Sequence, residues 1–239
     1  MLKTDLILRN PLRLIGSESA EVFPQGGFGA VLARAGVGKT AFLVQISLNS
    51  LLKGKNVLHI SLNDPIQKVN LWYQEVFHHI ANQYNLKQVE ELWESLLPHR
   101  FIMTFKVEGF SVPRLQERLT DLTEQQIFSP QMMIVDGLPF DAASRKSLLD
   151  LKTLAQKYAF QIWFTVRTHR HEEPDDDGLP AQLKEVADMF EMAIQLQPKG
   201  EEIHITALKG GNIPTQGPPL LIDPATMLIK SQNTTAAAL

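Results

Sequence analysis

Eight consecutive residues, Ala33-Arg34-Ala35-Gly36-Val37-Gly38-Lys39-Thr40, have the types and spacing to hold a phosphate. Glycines let backbone N–H groups turn inward around an anion, and a helix starting at the end of the segment aims its positive dipole end at the same charge. Lys39 has the reach for β and γ phosphates, and the Thr40 hydroxyl is a magnesium ligand in such loops. The apolar run Phe28-Gly29-Ala30-Val31-Leu32 before the segment reads as a strand. Ala41-Phe42-Leu43-Val44-Gln45-Ile46 after it reads as a helix. That context separates a phosphate-binding loop, taken here as Ala33 to Ala41, from a helix start that carries Gly-Lys-Thr by chance. A nucleotide site also needs a carboxylate on a neighbouring strand to hold the magnesium hydration shell. Met132-Met133-Ile134-Val135-Asp136, four apolar residues ending in an acid, is how a buried strand delivers one to the carboxyl edge of a sheet. Thr40 and Asp136 are therefore the candidate metal ligands.

The elements that must position these groups alternate. Strand-like runs recur at 28–32, 56–62, 101–105, 132–135 and 161–166, with helical periodicity between them. This predicts an α/β fold, a mostly parallel sheet flanked by helices. Val69, Trp72, Val76, Phe77, Ile80 and Tyr84 fall at the spacing of one apolar helix face. Further helices are expected over 86–97, 111–126 and 143–158. The last third changes character: 191–197 and 202–208 flank Pro198-Lys199-Gly200 as a hairpin, and 220–222 with 227–229 read as a second. The tract from Arg167 to Gly178, with two glutamates and three consecutive aspartates, is expected to be a mobile surface loop.

With 239 residues, 44% of them hydrophobic, the chain suits one sizeable domain. Its bounds are read as 26–230, after a lead-in over 1–25 and before a disordered tail over 231–239. No cysteine is present, which excludes disulfides, thiolate metal sites and cysteine nucleophiles. The adjacent pair His78-His79 diverges on a helix and does not suggest a metal site. A formal net charge of −3 gives no bulk attraction to nucleic acid. There is no apolar stretch of membrane-spanning length, and Met1 to Arg13 interleaves charges with leucines, unlike a signal peptide. A soluble cytoplasmic protein without a membrane span is the expectation.

Ala33-Arg34, then Gly38-Lys39-Thr40-Ala41-Phe42, resembles the phosphate loop of replicative DnaB-type helicases, where alanine likewise replaces the first glycine. The wider group is the RecA-like ATPases, including the KaiC family. Ile60-Ser61-Leu62 resembles the second-strand ending of both families. Leu208-Lys209-Gly210-Gly211-Asn212, followed by Pro214-Thr215 and Gly217, resembles the late strand and turn of the helicases. The resemblance covers residues 26 to 230, the loop being its specific part, and implies a RecA-like core with ATP and magnesium.

Three departures bear on turnover. Where these families carry the glutamate that polarises the attacking water, this chain has Asn63, which cannot accept a proton at neutral pH. Asp64 either substitutes for it or caps the next helix, with Pro65 at the first helical position. Where the helicases carry Lys-x-Arg acting on the γ-phosphate of a neighbouring subunit, Lys209 is kept and Gly211 stands for the arginine. Lys209 then senses nucleotide across an interface or is a solvated strand-end lysine. Where the helicases place a γ-phosphate-sensing glutamine, Arg167 stands; it supplies positive charge in cis or pairs with the acids that follow. Asp64, Arg167 and Lys209 are thus the candidate catalytic residues.

These readings favour an ATP-binding protein with slow or impaired hydrolysis, at most a weak nucleoside triphosphate hydrolase, serving as a nucleotide-dependent switch or assembly factor for an unknown protein partner. The alternative is an active DNA-dependent ATPase of helicase or recombination type. Glu172, Glu173, Asp175, Asp176 and Asp177 beyond the sheet edge would repel phosphates, so DNA is disfavoured, though Arg167, His169, Arg170 and His171 keep a basic knot. A small-molecule P-loop kinase is a third class, its only lid candidate being Arg167–Arg170. The resemblance implies a homo-oligomer with ATP at the subunit interface; ring, filament, dimer and monomer all stay open.

Overall fold

A computed structural model describes residues 23–141, 144–169, 179–210 and 219–231. Apolar runs that can be buried on both faces form the centre of its sheet: β1 (Phe28–Ala33), β2 (Val57–Ser61), β4 (Met132–Asp136) and β5 (Gln161–Arg167). With β3 (Arg100–Thr104), β6 (Met192–Lys199), β7 (Glu202–Lys209), β8 (Leu220–Ile222) and β9 (Ile229–Ser231), they make one nine-stranded sheet among the described residues. Its order is β3-β2-β4-β5-β1-β6-β7-β8-β9. Neighbours from β3 to β6 are parallel, and β7, β8 and β9 add antiparallel. The expected α/β architecture, parallel and then antiparallel, is the one found.

Helices cover both faces. On one lie α1 (Lys39–Leu52), α2 (Ile66–Gln83) and α3 (Val89–Leu96), packed with Val31, Val57, Ile134 and Trp163. On the other lie α4 (Val112–Glu124) and α5 (Ser144–Tyr158), packed with Phe28, Leu58, Ile60, Val135 and Phe164. A short α6 (Ala181–Lys184) joins the second layer through Leu183. Successive strand residues thus feed opposite cores, and each large apolar side chain so buried contributes about 1.5–3 kcal/mol. Helix α1 is apolar nearly all round, and ten of its fourteen residues are buried, so the segment that follows the loop is fixed inside the molecule.

Several expected boundaries shift for local reasons. The face of α2 is turned, burying Val69, Tyr73, Val76, Phe77 and Ala81, with Trp72, Ile80 and Tyr84 only partly covered. The helix expected over 86–97 shortens to α3 because Asn85 and Gln88 take positive φ. Strand β6 runs on through Pro198 and Lys199, and the turn falls at Gly200, where φ is +63°. Pro198 is tolerated because β1 pairs with β6 only as far as Gln195. The last strand begins at Ile229 because the turn after β8 consumes Met227 and Leu228: Met227 N donates to Asp223 O, and Asp223 N to Leu228 O.

Among the described residues no helix is long and apolar enough to cross a membrane. The expected lead-in up to residue 22, the acidic tract 170–178, Gly211 with its turn through 218, and the tail 232–239 lie outside the described residues.

Candidate functional site

The loop after β1 enters α1 through Gly38, whose φ of +100° is a left-handed conformation that favours glycine. Gly36, at φ +78°, takes the same region, and a side-chain carbon there would meet nothing within 4 Å. Glycine at the cap position offers no side chain to bond the first turn, and no acid lies in that turn. Its N–H donors therefore stay available to an anion. Val37 is buried and anchors the loop, while Ala35 and Gly36 form its exposed crest.

Lys39 Nζ donates to the carbonyls of Ala33 and Arg34, each at 2.9 Å, so its charge lies across the loop it belongs to. Burial lowers its pKa, Asp136 opposes that, and Arg167 adds to it. Arg167 is exposed at the end of β5, in register with Ala33, which brings its cation to the loop side of the sheet. Asp136 ends β4, one strand beyond β5. Thr40 Oγ1 donates to Asp136 Oδ2 at 2.8 Å, so the two candidate metal ligands, ninety-six residues apart, meet. Thr165 Oγ1 donates to Asp136 Oδ1 at 2.7 Å and accepts from Gly137 N at 2.9 Å. It fixes both the carboxylate and the backbone after it. Thr165 was not among the sequence candidates; its local signal is a lone hydroxyl near the end of an apolar strand.

No group of three His, Asp or Glu side chains suited to a metal is found among the described residues. One hydroxyl and one carboxylate are nonetheless the donor set by which magnesium is held when substrate phosphates and waters complete its shell.

The end of β2 is organised differently. Leu62 N donates to Asp136 O, tying β2 to β4. Exposed Asn63 folds over Gly137, where any side-chain carbon would run into the Asn63 amide. Ser61 Oγ accepts from Asp64 N at 3.0 Å and donates to Asp64 O at 2.9 Å, closing the turn. The cap of α2 is Pro65, one residue later than expected, and no side chain caps the helix. Asp64 instead pairs through Oδ1 with Lys68 Nζ at 2.9 Å, one helical turn on. At the other side, Lys209 Nζ donates to Ala187 O at 2.6 Å.

Beneath Ser61 on the same face, His59 is fully buried, its Nδ1 3.2 Å from Tyr73 Oη. Burial pushes His59 down to about 4; Asp136 and Asp64 work against this, and Arg100 works with it. Tyr73 is pushed up to about 12, chiefly by burial. The Arg100 guanidinium lies 4.5 Å from the Tyr73 ring centre and 5.3 Å from that of Trp93, and Nη2 donates to Asn70 Oδ1 at 2.8 Å. This polar node accounts for the turned face of α2: Tyr73 is drawn inward where the opposing strand residue is a histidine.

No family model matches the chain, and no curated protein matches it.

Proposed function

We propose that the chain is an ATP-binding protein of RecA-like type that holds MgATP on the loop Ala33–Ala41 and hydrolyses it slowly, as a nucleotide-dependent switch or assembly factor in the cytoplasm. The observation that carries this reading is the convergence of an uncapped helix N-terminus, the Lys39 amine and the Thr40–Asp136 pair at one sheet edge. Loop N–H groups and Lys39 bind the phosphates, and Arg167 adds positive charge from β5. Thr40 and Asp136 would hold magnesium, with Thr165 orienting the carboxylate; the metal supplies neutralisation of β and γ phosphate charge. Slow turnover follows from the other groups. Asn63 cannot take a proton from water, Asp64 is engaged by Lys68, and Lys209 is engaged by a backbone carbonyl. A protein partner, and a homo-oligomer with the nucleotide at its interface, belong to this reading.

Calorimetric ATP binding in magnesium, beside phosphate release, tests it on wild type and Lys39→Ala. Wild type should bind and turn over below about 1 s⁻¹, the low end for enzymes. Lys39→Ala should lose about 3–5 kcal/mol of binding, as removal of one partner from a close charge pair does. Absence of wild-type binding would overturn the whole reading, and fast turnover its switch part. Strong stimulation by DNA in the same assay would favour the DNA-dependent ATPase.

A further inference from the structure

A second element rests on the phosphate loop. The turn between β8 and β9 packs Met227 onto Gly38, so that a side-chain carbon on this glycine would come 3.2 Å from Met227 Sδ. Gln45 of α1 clamps the turn from below: its amide donates to Met227 O at 2.6 Å and its carbonyl accepts from Ile229 N at 2.9 Å. Met227 holds φ +58°, a conformation costly for any residue with a side chain, so the thioether is presented to the loop against the backbone's preference.

Position says which part of a nucleotide would meet it. Thr40 and Asp136, the residues that would hold magnesium with the outer phosphates of a nucleotide, lie on the β4 side of β1. Strands β8 and β9 lie on the other side of β1. A nucleoside that left the loop away from Asp136 would meet the Met227 turn. What the turn offers there is apolar: Pro224 and Ala225 are exposed and Met227 is half-exposed. Its polar side chains serve the turn itself. Asp223 Oδ1 accepts from Ala225 N at 2.8 Å and Thr226 N at 3.4 Å, and Thr226 Oγ1 accepts from Leu228 N at 3.3 Å. Asp223 Oδ2 also faces Lys230 Nζ at 3.7 Å.

We propose, resting on the nucleotide-binding reading above, that the turn Asp223–Leu228 is the wall for the nucleoside and that Met227 holds the base by contact without reading its hydrogen-bonding edge. A thioether packs on any aromatic ring and adapts to its shape. The site therefore accepts purine nucleoside triphosphates as a class, ATP and GTP nearly alike.

Calorimetry with ATP, GTP and inorganic tripolyphosphate, each in magnesium, tests this on wild type, Met227→Ala and Met227→Leu, with thermal unfolding as a check of folding. Wild type should bind ATP and GTP within about threefold of one another. Met227→Ala should weaken both by about five- to tenfold, the scale of a sulfur–aromatic contact, and leave tripolyphosphate within about twofold. Met227→Leu, which keeps an apolar contact, should restore most of the loss. A wild-type preference of about a hundredfold for one base overturns the proposal, because only polar readout gives that. Equal weakening of tripolyphosphate also overturns it, since Met227 would then act through the loop. If neither ATP nor tripolyphosphate binds wild type, the phosphate site itself fails, and the proposal with it.

Discussion

Around the loop Ala33–Ala41, side chains from α1, β4 and β5 bond to one another: Thr40 to Asp136, and Thr165 to Asp136 and to the backbone after it. Around the end of β2 and the end of β7, the side chains at the positions expected to do chemistry bond away from it. Asp64 is held by Lys68, Asn63 lies on Gly137, and Lys209 is held by Ala187 O. In the first region Thr40, Thr165 and Asp136 orient one another, an arrangement that would lower the cost of binding a ligand there. The second, among the described residues, has no placed base and no free cation, the two features that make phosphoryl transfer fast. Retention and turnover are separable properties, and on the proposed reading the described residues favour the first.

The largest effect that would sharpen this contrast lies at His59, buried on β2 within electrostatic reach of both Asp136 and Asp64. An unfolded chain takes up the His59 proton near 6.5 and the folded one only near 4. Between those values the unfolded state binds more protons, so stability falls as pH drops from about 6.5 to about 4, by about 3 kcal/mol for this group. Urea unfolding across that range should show the slope in wild type and lose it in His59→Gln. An identical slope in the variant would place the titration elsewhere. If ATP affinity followed the same titration, the two regions would not be independent.

Next in size is Asn63→Glu, which puts a proton acceptor where the resemblance expects one. Phosphate release should rise by about tenfold or more, with nucleotide affinity little changed. No rise would mean that the missing cation, and not the missing base, limits turnover. Thr165→Val, close to isosteric, removes the bond that orients Asp136. The loss of about 1 kcal/mol should weaken magnesium-dependent ATP binding by about fivefold while leaving metal-free binding as it was. Smallest of all, Asp64→Asn should leave turnover within about twofold, because its carboxylate serves Lys68. Loss of hydrolysis in that variant would return Asp64 to the catalytic list and break the contrast.

Most of this was legible from pattern. Buried parallel strands are continuous apolar runs, and β1, β2, β4 and β5 declared themselves that way, as did Asp136 at the end of one of them. What stayed hidden were partnerships between residues far apart in the chain. Nothing local to Thr165 says that it will lie beside Asp136, and nothing local to Tyr73 says that its helix will turn to meet His59. Met227 had the opposite difficulty. It opens the apolar run Met227-Leu228-Ile229 and so reads as strand, but bonds between Asp223 and Leu228 spend it in a turn.

The pairing of β1 carries a consequence for how the protein is made. This strand leads directly into the loop Ala33–Ala41, yet its two neighbours are β5 and β6, which follow it by well over a hundred residues. During synthesis from the N-terminus, β1 leaves the ribosome early with neither flank available, and the loop has no frame until the segment around Gln195 has emerged. A nascent chain stalled before β5 would carry the whole sequence from Ala33 to Ala41 without the strands that frame it. The frame of this loop is thus completed late and in one step, as the last parallel strand closes on the first.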